Sequence, residues 1–223
     1  MLRISNLDVS IQSIDILRGV EMSLDKGQMA GLVGRNGAGK TTFIKSIMGL
    51  LKPSAGTLEF DGRDLKAIPV HERNQMGIGY MPEDRRLIPN LTVEENVLLP
   101  MWASRAPDSA ERLQYVYRII PELVDFAQRR GSQLSGGQQK LVALGRALMT
   151  GRQLLLLDEP FEGVAPALAQ RLAEVISGLK SEGMAVIFSE SDLQYSQSLV
   201  QKIFAMDRGT LTETSATAAA QAT

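Results

Sequence analysis

The strongest constraint on the fold is a glycine-rich segment of nine residues, whose sequence is GRNGAGKTT. It matches the phosphate-binding loop pattern G-x-x-x-x-G-K-[ST] at every required position. Glycines let backbone N–H groups crowd around phosphate oxygens, Lys40 adds a positive charge for the β- and γ-phosphates, and the Thr41 hydroxyl can bind Mg²⁺. The segment therefore predicts a nucleotide site whose phosphate ligands are Gly34, Arg35, Asn36, Gly37, Ala38, Gly39, Lys40, Thr41 and Thr42.

The segments on either side of the loop support this prediction. The apolar run from Met29 to Val33 predicts a buried strand, and Thr41 to Leu50 has the apolar spacing of a helix. A loop in this position places free N–H groups of the helix N-terminus against the phosphates, where the helix dipole also favours negative charge. The strand–loop–helix context makes a chance glycine-rich turn a poor explanation.

Composition excludes several classes of protein. The 223 residues suit one large domain or a core with an inserted subdomain, and a net charge of -1 gives no broad basic face for nucleic acid. The absence of cysteine excludes disulfides and thiolate metal sites. The N-terminus lacks the apolar core of a signal peptide, and no apolar run approaches the ~20 residues that cross a bilayer. We therefore expect any membrane role to depend on a partner.

The rest of the sequence predicts an α/β core with a small antiparallel sheet. Short apolar runs predict further core strands at 77–81, 154–158, 185–189 and 202–206. The four leucines that open the second of these runs are typical of a parallel-sheet strand buried on both faces. Weaker strand signals predict a small antiparallel sheet beside the phosphate site, in segments 2–9, 14–24 and 57–60, the last closed by an Asp61-Gly62 turn.

A block from about 84 to 147 has a different, mainly helical character. A capping box that starts at Thr92 predicts a helix through Leu99, and further helices are predicted at 109–120 and 135–149. We expect this block to be a helical subdomain inserted in a domain that spans 1–211. The Ala/Thr/Ser-rich tail, 212–223, is predicted to be disordered.

Four polar features each follow a predicted core strand: the phosphate loop, Glu83, the Asp158-Glu159 pair and Ser191. Ligands of an open α/β sheet bind at the carboxyl ends of its strands, so we expect these features to converge. Asp158 suits a Mg²⁺ ligand, bound directly or through water. Glu159 could orient or deprotonate an attacking water molecule.

The segment Ser135-Gly136-Gly137-Gln138 has two compatible interpretations. Ser135 and Gln138 form a capping box, which explains them as the start of a helix. A helix N-terminus that carries two glycines can also bind an anion. Since the chain already has a phosphate loop, a second phosphate contact makes sense if it serves a nucleotide held by another subunit.

Three segments together resemble the motifs of ABC-type ATPases: residues 34–42 the Walker A motif, 134–139 the signature and 154–160 Walker B. The resemblance implies an α/β fold with a P-loop NTPase (RecA-like) core, a head-to-tail dimer, and two ATP molecules at its interface. It also implies that Ser135, Gly136, Gly137 and Gln138 bind the partner's ATP, that Lys40, Glu159 and Ser191 are catalytic, and that Thr41, Glu83 and Asp158 bind Mg²⁺.

Other segments are similar to the ATP-binding subunits of branched-chain amino-acid importers. They are 82–96, 116–123 and 163–166, and Glu83 is usual in this group where most ABC proteins have glutamine. Importers of urea and short-chain amides share these features. The resemblance implies transmembrane permease subunits as partners, a solute-binding protein as an indirect partner, and a peripheral position on the cytoplasmic face of the inner membrane.

Three residues depart from the family pattern. Ile11 stands where an aromatic side chain would stack on adenine, Ala165 replaces an aspartate, and Ser191 replaces the switch histidine. The first and third leave open a weakly active or regulatory subunit that is paired with a more active partner. A soluble ABC ATPase of repair or translation is a further alternative, but such chains usually carry a second ATPase half or long insertions.

Two aromatic residues, His71 and Trp102, lie outside these motifs. His71, the only histidine, lies in a polar loop and is expected to be a surface residue. Trp102 either packs in the core of the helical block or lines a groove that receives a transmembrane partner.

Overall fold

The computed structural model describes residues 1–214 and contains two sheets and seven α-helices within that range. The strands are β1 (Leu2–Ile11), β2 (Ile14–Leu24), β3 (Met29–Val33), β4 (Ala55–Phe60), β5 (Arg63–Asp64), β6 (Ile78–Met81), β7 (Leu154–Asp158), β8 (Ala185–Glu190), β9 (Lys202–Asp207) and β10 (Thr210–Thr214). The helices are α1 (Lys40–Met48), α2 (Val70–Gln75), α3 (Val93–Ser104), α4 (Ser109–Ile119), α5 (Glu122–Asp125), α6 (Gly136–Thr150) and α7 (Pro166–Ser181).

The larger sheet has six strands in the order β10-β9-β3-β8-β7-β6. All neighbours from β9 to β6 are parallel, and β10 alone is antiparallel to its neighbour. Every residue of β3, β7 and β8 is buried, as the continuous apolar runs of these strands predicted. The parallel arrangement brings the carboxyl ends of β3, β6, β7 and β8 to one edge.

The smaller sheet is antiparallel, in the order β2-β1-β4-β5. Alternate residues of β1, such as Leu2 and Ile4, face the core, and the alternation shifts at irregular pairings further along the strand. Asp61 and Gly62 join β4 to β5 with φ values of 49° and 74°, which suit a two-residue hairpin turn. The α/β fold class with its antiparallel sheet is therefore confirmed.

The helical block is packed around α6. At Gly145 an added Cβ would lie 2.7 Å from the Leu123 side chain and 3.3 Å from that of Val116, so the missing side chain lets these helices approach closely. The far end of α6 also lies directly on the larger sheet, because a Cβ at Gly79 would be 2.2 Å from the carbonyl oxygen of Ala147. One helix thus belongs to the helical block and to the core at once.

Helix α3 extends beyond its predicted end at Leu99 and continues through Pro100 to Ser104. The capping box at Thr92 is confirmed, but the proline did not end the helix. Pro100 has no N–H, so the helix lacks one backbone hydrogen bond at this point. The burial of the next side chain, Met101, in the helical core offsets that loss. Trp102 is 49% exposed, so the interpretation that it packs in the core is wrong.

Two further segments differ from the sequence predictions. Helix α2 was not predicted because its six residues are too few to show apolar periodicity. Thr212–Thr214, which we expected to be disordered, pair with β9 as part of β10 after a turn at Arg208-Gly209. Composition could not reveal this backbone pairing, and the rest of the predicted disordered tail, 215–223, lies outside the described residues.

His71 lies on the surface, as expected, with 78% of its side chain exposed, but it belongs to helix α2 and not to a loop. Among residues 1–214, no helix combines the length and the apolar character that a membrane crossing requires.

Candidate functional site

A cavity of about 440 Å³ lies at the edge where the parallel strands end. The phosphate loop and the first turn of α1 form most of its wall, and single residues that follow β6 and β7 close it. Its lining residues are Ile16, Arg35, Asn36, Gly37, Gly39, Lys40, Thr41, Thr42, Glu83 and Glu159.

The phosphate loop leaves the start of α1 without a side-chain cap. The N-cap residue is Gly39, with a φ of 117° that favours glycine, and an added Cβ would be 2.9 Å from the Leu17 side chain. The backbone N–H groups of the first turn therefore remain available to an anion in the cavity. This local geometry is that of a phosphate site.

Two predicted loop ligands, Gly34 and Ala38, do not line the cavity. The Gly34 N–H donates to the Glu190 carbonyl at 3.3 Å, and the Ala38 N–H donates to Arg35 at 3.1 Å. A Cβ at Gly34 would be 2.3 Å from the Met206 carbonyl oxygen, so this glycine is required by the close approach of β9. Both residues shape the loop, and their contact with phosphate stays a prediction.

The Lys40 ammonium group is buried at the base of the loop. It donates to the Gly34 carbonyl at 2.6 Å and forms an ion pair with Glu159 Oε1 at 3.1 Å. A buried charge needs such partners, since desolvation alone would strongly disfavour it. The charge is therefore held in position before any phosphate arrives.

Thr41 and Asp158 form a pair of oxygen ligands beside Lys40. The Thr41 hydroxyl donates to Asp158 Oδ1 at 3.1 Å, and Ser189 donates to the same oxygen at 2.7 Å. No cluster of three or more His, Cys, Asp or Glu side chains within residues 1–214 could enclose a metal. Two hard oxygen ligands next to a phosphate site fit Mg²⁺, which usually completes its coordination with phosphate and water.

Glu159 occupies a constrained position directly after β7. Its φ is 47°, in the left-handed region that non-glycine residues rarely adopt, and its N–H is held by both oxygens of Ser189 at 3.1 Å. Burial raises the pKa of its carboxyl group, while Lys40 partly opposes that effect. The carboxylate is thus placed, with its backbone fixed, at the cavity edge.

Ser191 follows β8 and reaches the same carboxylate. Its hydroxyl lies 3.3 Å from Glu159 Oε1 and 3.3 Å from Asn36 Oδ1. Two of the predicted catalytic residues, Lys40 and Ser191, therefore both contact the third, Glu159. Ser191, predicted to stand at the position of the switch histidine, thus contacts the side chain of Glu159.

The adenine contact predicted for Ile11 stays a prediction, and the cavity adds a second apolar candidate on the same hairpin. Ile11 lies at the end of β1 and is not among the lining residues, whereas Ile16 on β2 is. The β1–β2 hairpin returns the chain toward the loop after Gln12-Ser13, which brings Ile16 to the cavity. Sequence reasoning missed Ile16 because it placed the contact at the hairpin itself.

The signature segment lies outside this chain's own cavity. Its capping box is confirmed: Ser135 Oγ accepts from the Gln138 N–H at 3.2 Å, and Gln138 Oε1 accepts from the Ser135 N–H at 3.0 Å. Of its two glycines, Gly136 lies near Arg85 and Gly137 near Leu168. None of the four predicted ligands lines the pocket that the phosphate loop forms.

Ser189 is a further residue that sequence reasoning missed. It lies directly opposite Asp158 in the β7–β8 register and supports both Asp158 and Glu159. The signal in the sequence is a serine near the end of an otherwise apolar strand. Its partner could not be read without the strand order.

Comparison with known proteins agrees with this geometry. A family model described as ABC transporter matches residues 17–162. BraG of Pseudomonas aeruginosa, a high-affinity branched-chain amino acid transport ATP-binding protein, is 32% identical over 209 residues, which cover 94% of this chain and 90% of BraG. LptB of Haemophilus influenzae, a lipopolysaccharide export system ATP-binding protein, is 29% identical and covers 96% of this chain and 90% of LptB.

A solved structure supports the same assignment. The ADP conformation of MJ1267, an ATP-binding cassette of an ABC transporter, superposes with a TM-score of 0.83 at 29% identity and covers 96% of this chain and 90% of that one. The match spans both sheets and the helical block. The chain belongs to the ABC transporter family and is an ATP-binding, ATP-hydrolysing subunit of that family.

Proposed function

We propose that this ATPase powers a bacterial importer of branched-chain or related amino acids. The identity to BraG supports this cargo, as does the segment 82–96, whose Glu83 lines the cavity. The identity to LptB is comparable and supports a different cargo and transport in the opposite direction, export. A separate experiment therefore decides between import of amino acids and export of lipid. Substrate contacts would lie on the membrane and solute-binding partners.

The observation that carries the reaction is the Lys40–Glu159 ion pair at 3.1 Å. When ATP enters the cavity, Lys40 would exchange part of this pairing for the β- and γ-phosphates. Glu159 then has an oxygen free to accept a hydrogen bond from the attacking water molecule, which it either orients or deprotonates. Mg²⁺ held by Thr41 and Asp158, with Glu83 nearby, would neutralise charge on the phosphates.

The second wall of each ATP site is proposed to come from another ATPase subunit. The segment 135–138 lies outside its own cavity and starts a helix, as a donor of contacts in trans would. Closure of such a head-to-tail homo- or heterodimer would favour the ATP-bound state through contacts that the open state lacks. The half-exposed Trp102 fits a place at the junction with a permease on the cytoplasmic face of the inner membrane.

The test of the reaction is Glu159→Gln, which keeps the shape of the side chain and removes its basicity. We expect unchanged ATP binding, at least ~100-fold slower turnover and a longer-lived dimer. Glu162→Gln is the matched control, since Glu162 lies in the same turn but is exposed. Near-normal turnover of Glu159→Gln would show that another group acts on water.

The cargo is tested by purification of the complex from its native membrane, with identification of the bound membrane subunits and of the solute that the binding protein carries. A branched-chain amino acid would support the proposal. Urea or an amide would support the alternative that shares the same sequence features. A lipid-export complex without a solute-binding protein would overturn import.

A second candidate function is that of a weakly active subunit paired with a more active one. Ser191 favours it, because a hydroxyl that bonds Glu159 and Asn36 extends less far toward a γ-phosphate than an imidazole. Rapid hydrolysis by the purified homodimer, with no gain on Ser191→His, would eliminate this candidate.

A further inference from the structure

Helix α6 contains a buried lysine that the reaction described above does not use. Lys140 is the fifth residue of the helix and is 1% exposed. Its ammonium group donates a hydrogen bond to the backbone carbonyl oxygen of Glu159, 19 residues further along the chain. The signature helix and the catalytic turn of the same chain are therefore joined by one buried side chain.

The surroundings of Lys140 make this contact costly to maintain. Burial and the nearby Arg85 lower the pKa of Lys140 to about 8, although Glu162, Glu159 and Glu83 oppose the shift. An unbranched apolar side chain of similar length would fill the same space without desolvating a charge. A lysine at this position calls for a reason beyond packing.

The acceptor of this hydrogen bond is the backbone carbonyl of Glu159, so its direction is set by the strained backbone of the proposed catalytic acid. Glu159 has a φ of 47°, its N–H is fixed by Ser189, and its carbonyl accepts from Lys140 and from the Glu162 N–H at 3.3 Å. Backbone held at both ends sets where the side chain can point. Loss of the ammonium donor would leave the carbonyl with only the longer bond.

The first turn of α6 is also held against the segment that follows Walker B. A Cβ at Gly137 would be 2.5 Å from the Leu168 side chain, so the signature turn lies directly on the start of α7. Lys140 is one helical turn beyond this contact. A displacement of the signature turn would therefore move the ammonium group relative to the Glu159 peptide.

We propose that Lys140 is a positioning residue that couples the signature helix to the orientation of Glu159, so that contact of Ser135–Gln138 with ATP in one site sets the acid of the other site. This inference rests on the proposed catalytic role of Glu159. The coupling runs within one chain and joins the two composite ATP sites of a dimer.

The test uses the full-length chain at concentrations where ATP drives its association. Lys140→Met, which removes the donor and keeps the length, should lower kcat at least ~10-fold with little change in the KM for ATP. Lys140→Arg, which keeps a donor and a charge, should recover part of that loss. Leu144→Ala, a cavity variant one turn further along the same helix, controls for destabilisation and should lower Tm while the folded protein keeps its kcat.

A double-mutant cycle separates positioning from general damage. If Lys140 acts through Glu159, adding Lys140→Met to Glu159→Gln should cause no further loss of turnover. A further loss of ~10-fold in the double variant, or normal kcat in Lys140→Met alone while Glu159→Gln is inactive, would overturn the role of Lys140 only. Normal turnover of Glu159→Gln would overturn the catalytic assignment and, with it, this inference.

Discussion

Helices α1 and α6 both have a glycine at the start of the helix, as the N-cap of α1 and as the first residue of α6, and both lie next to a proposed phosphate contact, yet their N-termini are built differently. At α1 the N-cap is Gly39, no side chain caps the first turn, and Lys40 is already inside the loop. At α6 the side chain of Ser135 caps the first turn, and Gln138 bonds back to Ser135. The first turn of α1 leaves its backbone N–H groups free to bind a ligand, whereas in α6 the capping side chains satisfy some of these groups.

This difference explains how one chain can hold two unequal halves of a site. The α1 loop needs a ligand to satisfy its N–H groups and so favours ATP binding by a single subunit. The α6 turn is stable without ATP and can be presented on a surface until a second subunit approaches. Affinity for nucleotide and closure of the dimer should therefore respond to different substitutions.

The largest effect is expected at α1. Lys40→Met removes the charge that faces the phosphates and leaves Glu159 without its ion-pair partner. We expect ATP binding to weaken by ~10–100-fold and hydrolysis to fall by about 1000-fold, to be measured by nucleotide titration and phosphate release. The exposed Lys52→Met is the control, and equal losses in both variants would contradict a local role for Lys40.

A substitution in the α6 turn should spare the isolated subunit. Gly137→Ala adds a methyl group beside Leu168, whose flexible side chain can move, so stability should change little. Since Leu168 and the first turn of α6 must shift apart to admit the methyl group, the segment 135–138 would be displaced from the partner's nucleotide, and ATP-driven association should weaken by ~10-fold, as measured by sedimentation. The control is Gly178→Ala, whose methyl group would lie in open space on α7 and should leave association unchanged. If Gly137→Ala weakened ATP binding by the monomer, the N-termini of α1 and α6 would not act separately.

The wall behind the α1 loop contains a buried acid that should affect stability as pH changes. Burial raises the pKa of Glu190 to about 8, with Glu159 and Asp192 adding to the shift and a hydrogen bond from Ser196 opposing it. Oε1 of Glu190 has no hydrogen-bond partner within residues 1–214, as suits a protonated group.

The unfolded chain releases the Glu190 proton near the ordinary pKa, so this group's contribution is full below about pH 4.5 and is lost as pH rises to about 8. Glu190→Gln should remove that loss and flatten the fall of unfolding free energy by up to about 1.4 kcal/mol per pH unit between pH 5 and 8. Urea unfolding at several pH values measures the slope. Parallel slopes in the variant and the wild type would show that Glu190 is ionised in the folded protein.

The smallest expected effect is at the cap of α6. Ser135→Ala removes the side-chain acceptor of the Gln138 N–H and should cost about 1 kcal/mol of stability, measured by denaturant unfolding. Ser135→Asn keeps an acceptor and should recover most of it. A loss of monomer ATP affinity in Ser135→Ala would mean that the two N-termini are not independent.

The sequence predicted the elements that local pattern controls. The loop, the buried strands and both capping boxes follow from glycine positions, apolar runs and short spacings, and the structure has all of them. What it could not provide was strand register and long-range packing. Ser189, Ile16 and Lys140 acquire their roles only because distant segments meet, and no local pattern distinguishes them from ordinary core or loop residues.

The close contact of Gly79 with Ala147 has a mechanical consequence for α6. It fixes the far end of the helix to the sheet as a pivot, about 16 Å from the first turn at 1.5 Å per residue. A tilt of about 5° around that pivot would move Ser135, about 18 Å from it, by roughly 1.6 Å, while the strands below stay in place. The helix can therefore act as a lever whose small angular change is largest where a second subunit would touch it.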